Sequence, residues 1–305
     1  MNAPRHLEDW APADLKRALA GPGVRLRLPP FVVHIRSPIA VVAQGLRALY
    51  PTHECLDPVQ TMADFHVAVM PRWRPLRPLC VFEMDGLKPF TPLGRDEAFA
   101  FLEWGLNWCV TGHAHHWVAV HAAVLEKQGR ALVLPAPPGS GKSTLCAALM
   151  LDGWRLLSDE MALLDPATGQ VTASPRPVSL KNASIDLIRT RYPQAVIGPV
   201  ARNTLKGTVG HLRVTPDSLG RAAETALPAW LVFPRYEAGA DLTLTPRGRA
   251  RALVEIASHS FNHHVHGRAG FEALAALVDR CDCLDLRYSR LDDALAWARS
   301  LEAPR

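Results

Sequence analysis

Hydrophobic and polar positions change period several times along this chain, and each change predicts an element. Pro12 to Leu19 carries apolar residues at helical spacing and is closed by Gly21-Pro22-Gly23. Val24 to Leu28 alternates, which predicts a strand, and Pro29-Pro30 parts it from a second strand at Phe31 to Ile35. Ile39 to Leu49 predicts a helix, with Pro51 after it. Asp64 to Met70 and Leu79 to Met84 predict strands on either side of a proline-rich turn, Pro71 to Pro78. In Asp96 to Val110, Ala98, Phe99, Leu102, Leu106 and Val110 share one helical face. Trp104 and Trp108, four apart, are placed to stack on one another as core or interface residues.

The centre of the chain has a different rhythm. Trp117 to Leu125 alternates and then fills in, as a single buried strand does, and Lys127-Gln128-Gly129 predicts a turn. Ala131 to Leu134 is a short apolar strand that runs straight into a glycine-containing loop. Ser143 to Leu151 is helical, Asp152-Gly153 ends it, and Arg155 to Ser158 is a strand ending at Asp159 and Glu160. Further on, Asp165 to Gly169 predicts a turn, Ala183 to Arg191 a helix, and Pro193 to Gly210 a loop. Trp230 to Pro234 and Cys283 to Tyr288 predict strands; Pro246 to Ser258, Gly270 to Val278 and Leu291 to Leu301 predict helices. The expected division is an N-terminal α+β region, 1–110, for substrate or partner recognition, and a nucleotide-binding α/β domain, 111–305.

Composition narrows the classes. With 48% hydrophobic and 21% charged residues the 305-residue chain is globular rather than disordered. Its net charge of +5 comes mostly from scattered arginines, without a zinc finger, an RNA-binding signature or a basic helix, so nucleic acid is not an expected partner. No apolar run reaches the length of a membrane span, and no signal peptide is visible. Six cysteines without a metal-ligand spacing suit free thiols, so a cytoplasmic setting is expected.

The chemistry concentrates in Ala136-Pro137-Pro138-Gly139-Ser140-Gly141-Lys142-Ser143, which matches the P-loop pattern from Gly139 onward and has Ala136 where the pattern begins with glycine. Glycines let successive N–H groups face inward, and with the following helix N-terminus they form an anion nest. Pro137 and Pro138 donate nothing, so the cradle is expected from Gly139 to Thr144. Lys142 is expected to neutralise phosphates of Mg·ATP, and Ser143 to place its hydroxyl on Mg²⁺. Phosphoryl transfer also needs a carboxylate for the metal and a proton acceptor, which Asp159 and Glu160 supply in type.

His121 in an apolar strand is, by itself, a satisfied core residue. Lys181, Arg202 and Lys206 are candidates to touch phosphates or an acceptor; Lys206 stands out because Gly207 permits close backbone approach. His259, His263, His264 and His266 cluster, but no cysteine or carboxylate pattern completes a metal site, which favours a loop near the nucleotide or an interface.

At these residues the sequence resembles the HPr kinase/phosphorylase family, whose nucleotide domain is similar to that of phosphoenolpyruvate carboxykinase. His121-Ala122-Ala123-Val124 stands where that family has a His-Gly-Val strand start. Gly153-Trp154-Arg155-Leu156-Leu157-Ser158-Asp159-Glu160 stands where it has Gly-x-Arg-Leu-x-Ala-Asp-Asp, and the register holds without a gap from His121 to Glu160. Ser179-Leu180-Lys181-Asn182, Leu205-Lys206-Gly207-Thr208 and Ser260-Phe261-Asn262 are similar to segments of the HprK-related kinase A group. The resemblance implies a P-loop core of that type with a small α+β N-terminal domain, and an oligomer. It also implies an active-site role for His121 near the γ-phosphate and, for Glu160, the role of proton-accepting acid. Asp159 then serves Mg²⁺ or the acceptor, and the reverse assignment of the two acids stays open. Glu160 replaces the family's second Asp, and its later Glu-x-Arg-Gly signature is not recognisable, which weighs against the reverse, phosphorolytic reaction.

The expected function is an ATP-dependent kinase acting on a hydroxyl, a serine by preference, of a peptide or protein. The expected metal ligands are Ser143, Asp159 and Glu160. A nucleotide sensor without transfer chemistry, or a small-molecule kinase, are the competing expectations. An open groove for the acceptor argues for a polypeptide, and a small enclosed pocket for a small molecule.

Overall fold

The structure, a computed structural model, describes residues 5–57, 59–74, 78–137 and 139–301. The chain is a mixed α/β protein that divides into two compact units. The first comprises Met1–Val110 and Ser179–Arg213; the second comprises Thr111–Val178 and Val214–Arg305. Among the described residues no helix is long and apolar enough to cross a membrane.

The first unit is built on a seven-stranded sheet in the order Arg5–His6, Glu54–Leu56, Val24–Leu28, Phe31–Arg36, Phe65–Arg72, Leu79–Met84, Leu93–Gly94. Alternation does its usual work here: Val24, Leu26 and Leu28 are buried, and Arg27 between them is exposed. The helix Ala40–Leu49 lies in the connection between Phe31–Arg36 and Phe65–Arg72, which pair in parallel. Trp104 and Trp108 do not stack on each other in the helix Ala98–His113. Phe90 comes between them, stacked on Trp104 at 4.3 Å and edge-on to Trp108 at 5.6 Å.

Residues 179–213 join this unit rather than the second. Their hold is local and specific. Arg213 Nε donates to the Ala48 carbonyl at 2.6 Å, and the His211 ring stands edge-on to Phe99 at 5.7 Å. Gly198 lies so close to Leu49 that a Cβ there would come within 2.7 Å of it. The stretch expected as loop at 193–210 contains a hairpin, Ala201–Thr204 and Gly207–Leu212, whose turn uses positive φ at Asn203 (58°) and Gly207 (82°). Polar residues dominate its first strand, which hid it from the hydrophobic pattern.

The second unit has a six-stranded sheet in the order Arg155–Ser158, Ala122–Lys127, Arg130–Pro135, Leu227–Tyr236, Asp282–Tyr288, Thr243–Pro246. Arg130–Pro135, Leu227–Tyr236 and Asp282–Tyr288 run parallel; Ala122–Lys127 is antiparallel to both its neighbours. One face carries the helices Arg249–Ser258 and Arg268–Arg280, whose Ala252, Ile256, Leu274 and Leu277 pack with Val124, Val133 and Leu231. The helix Lys142–Leu151 packs on Ala122–Lys127 and on the C-terminal helix Leu291–Arg299. A second, three-stranded sheet joins Val171–Thr172, Ala162–Leu164 and Val118–Val120.

The expected single strand Trp117–Leu125 is therefore two strands in two sheets, broken at His121. The chain opposite does the same: Arg155–Ser158 belongs to the large sheet, Ala162–Leu164 to the small one, and Asp159 and Glu160 form the break. Both faces of each strand are buried, so a continuous apolar run concealed the change of sheet.

Candidate active site

Strand directions gather the candidate residues at one edge. Pro135 pairs with Ala122, so the glycine loop leaves the sheet beside His121. Arg155–Ser158 is antiparallel to Ala122–Lys127 and hence points the same way as Arg130–Pro135, so Asp159 and Glu160 emerge at this edge too. The carboxyl ends of strands are where open α/β sheets hold ligands.

The two sheet changes set the pairing. Ser158 lies opposite Val124 and Ala162 opposite Val120, which brings the two breaks face to face. Across them, His121 Nε2 is 3.2 Å from Glu160 Oε2, both side chains being about a quarter exposed. Asp159 is buried, at 3% exposure. Ser158 Oγ accepts the Met161 N–H at 3.1 Å and so shapes the acid turn.

A short segment after the helix Arg249–Ser258 fixes His121 from the other side. The His121 N–H donates to the His259 carbonyl at 2.8 Å, and the Phe261 N–H to the Ala119 carbonyl at 2.9 Å. The Asn262 carboxamide accepts from Ala119 N–H at 2.8 Å and donates to the Trp117 carbonyl at 2.9 Å, extending the ladder with a side chain. The His259 ring stands edge-on to His121 at 6.4 Å between centroids. Burial lowers the His259 pKa, opposed by Glu255 and aided by His121, Lys142 and Arg247.

The glycine loop turns on Gly139 (φ 88°) and Gly141 (φ 86°), both in the left-handed region. Gly141 caps the helix Lys142–Leu151. A Cβ there would meet the Tyr288 hydroxyl at 2.8 Å, whereas one on Gly139 would meet nothing within 4 Å. Strand ends brace the loop: Tyr236 N–H donates to the Ser140 carbonyl at 2.8 Å and Tyr288 Oη to the Gly141 carbonyl at 3.3 Å. Ser143 and Thr144 follow in the first helical turn, half-buried. Lys142 is buried, 7% exposed, and its Nζ has no hydrogen-bond partner among the described residues. Cys146, one turn further and fully buried, has its thiol pKa pushed well up by burial and by the Asp159 carboxylate, with Lys142 opposing.

The structure thus brings together His121, Asp159, Glu160, Lys142 and the loop residues Gly139, Ser140, Gly141, Ser143 and Thr144 in one unit. Pro138 lies outside the described residues. Lys206 belongs to the first unit, where its ammonium sits 5.7 Å from the Trp104 ring centroid. Among the described residues no group of three or more His, Cys, Asp or Glu is arranged to hold a metal ion. His266 lies with Nε2 3.1 Å from the Trp117 carbonyl. Tyr236 and Tyr288 carry no signal in the sequence, because their place beside the loop follows from parallel pairing with a distant strand.

An open groove of about 730 Å³ adjoins this edge, lined by Pro137, Ala250, Arg251, Val254, Glu255, Ser258 and His259. Buried Arg247 orients Glu255 within it, pairing with that carboxylate and with Asp285 at 3.0 Å while its guanidinium lies 3.8 Å over the Phe233 ring. No protein-family model matches the chain, and no curated protein matches it.

Proposed function

We propose that this chain is an ATP-dependent phosphotransferase of the HPr-kinase type, with a P-loop at Ala136 to Ser143, acting on a hydroxyl of a peptide or protein. One observation carries the reading: the buried Lys142 ammonium has no hydrogen-bond partner among the described residues, at the same sheet edge as the His121–Glu160 pair. A buried cation without a partner costs stability, so its retention points to an anion that completes it. A left-handed glycine pair and a helix N-terminus beside it suit phosphate oxygens.

Mg·ATP, when bound, supplies the transferable phosphoryl group and the divalent charge that offsets the phosphates. Backbone N–H groups of Gly139 to Thr144 and the Lys142 ammonium would hold the phosphates. Ser143 and one or both carboxylates of Asp159 and Glu160 would hold Mg²⁺, which commonly uses one or two carboxylates with phosphate and water. Glu160 accepts the proton that the acceptor hydroxyl gives up, and His121, 3.2 Å away, orients that carboxylate. Pro137 and His259 both line the groove, and the His259 ring stands edge-on to His121, so an acceptor lying in it would be close to the His121–Glu160 pair. Its openness and size favour a polypeptide segment over an enclosed small molecule. Six free cysteines, five of them buried, suit a reducing compartment such as the cytoplasm.

The test is transfer from Mg·ATP to polypeptides encoded beside this gene, read by intact mass. One phosphoryl mass gained with the wild type and lost with Lys142→Ala is the expected result, with Glu160→Gln slowed roughly 10²–10⁴-fold. ATP bound without any mass gained would replace this reading with a nucleotide sensor. Full transfer by Lys142→Ala would refute the P-loop assignment.

A further inference from the structure

The chemistry proposed above gives the triphosphate a direction, and from it we infer that Tyr236 is the stacking platform for the nucleoside base. The inference rests on the nucleotide reading. The His121–Glu160 pair marks the reacting end on one flank of the loop strand, toward Ala122–Lys127 and Arg155–Ser158. The rest of the nucleotide leaves by the other flank, where the neighbouring strand is Leu227–Tyr236 and the next is Asp282–Tyr288. Both run parallel to the loop strand and end at the same edge.

The two tyrosines that end these strands have different duties. Tyr288 is buried, 2% exposed, and its hydroxyl is committed to the Gly141 carbonyl. Tyr236 holds the loop through its backbone, N–H to the Ser140 carbonyl, and is as a residue 50% exposed. Among the described residues its one ring contact is edge-on, with Tyr288 at 6.0 Å and 76°. An aromatic side chain held at its Cβ beside Gly141, half-exposed and with one edge-on ring contact among the described residues, is what a flat heterocycle stacks on. Stacking on a π face discriminates little among bases, so ATP and GTP bind alike at this contact.

Calorimetric titration of the full chain with Mg·ATP and, separately, with Mg·tripolyphosphate separates base from phosphates. For Tyr236→Ala, Kd for Mg·ATP rises roughly tenfold while Kd for Mg·tripolyphosphate stays at the wild-type value, and Tyr236→Trp restores ATP binding. Because the alanine variant keeps its backbone N–H, the brace on Ser140 survives. Equal weakening of both ligands would mean that the ring shapes the loop, and no change in either would mean that it touches no base; each overturns the inference and leaves the P-loop reading standing. Wild-type protein that binds neither ligand would remove the nucleotide reading itself and this inference with it.

Discussion

Arg155 and Lys142 are both cations buried in the second unit, and they are buried on opposite terms. Arg155 is 2% exposed and three of its N–H groups are answered: Nε by Glu126 Oε2 at 2.5 Å, and Nη1 by the carbonyls of Arg221 and Glu224 at 2.9 and 3.0 Å. Glu126 in turn accepts from the Gly129 N–H and lies 3.3 Å from Arg221. Lys142, 7% exposed, has no such partner among the described residues. A closed network makes a fold specific; a buried charge left open is a cost that a bound anion relieves. The first unit shows a third solution in His53, 2% exposed, whose pKa burial lowers to about 4, so that it stays neutral.

The sharpest way to break the contrast is to open the closed network. Glu126→Ala leaves Arg155 buried without its carboxylate and is expected to cost about 3–5 kcal/mol, measured by denaturant unfolding. A loss under 1 kcal/mol would mean that the pair is not the closed network described. Acid tests the neutral solution. Above pH 6.5 both folded and unfolded chains hold His53 neutral. As pH falls from 6.5 toward 4 the unfolded chain takes up the proton and the folded chain does not. Stability then declines by about 3 kcal/mol across that window and the His53 contribution levels off below it. His53→Gln removes that part of the slope.

Smaller effects probe the loop. Gly141→Ala forces a left-handed alanine and displaces the Tyr288 hydroxyl, an expected loss of about 1–2 kcal/mol by thermal unfolding. Lys142→Met keeps the length of the side chain and removes the open charge. It is expected to raise the stability of the ligand-free protein by about 1 kcal/mol. A destabilised Lys142→Met protein would show that the ammonium supports the fold.

The sequence carried some of this and concealed the rest for identifiable reasons. Alternation at Val24–Leu28 and the apolar run before the glycine loop announced their strands, because one face or both are buried. The change of sheet at His121 was invisible, since residues 118–120 and 122–125 on either side of it are apolar throughout. The glycine-loop pattern named Lys142, the strand end after its helix named Asp159 and Glu160, and only the family resemblance named His121; the 3.2 Å contact between His121 and Glu160 depends on two strands changing sheets at one level. Arg155 read as part of a motif; its burial against Glu126, from the neighbouring strand, follows only from antiparallel register. Tyr236 and His259 reach the site by pairing across more than 90 residues of chain, a relation that local periodicity does not encode.

The most direct test of the proposed account is thermal unfolding of wild type and Lys142→Met with and without Mg·ATP. The account predicts that a saturating nucleotide at about 100 times Kd stabilises the wild type by about 2.7 kcal/mol and leaves Lys142→Met unmoved. Equal stabilisation of both proteins would contradict it, because the open ammonium would then not be what the nucleotide completes.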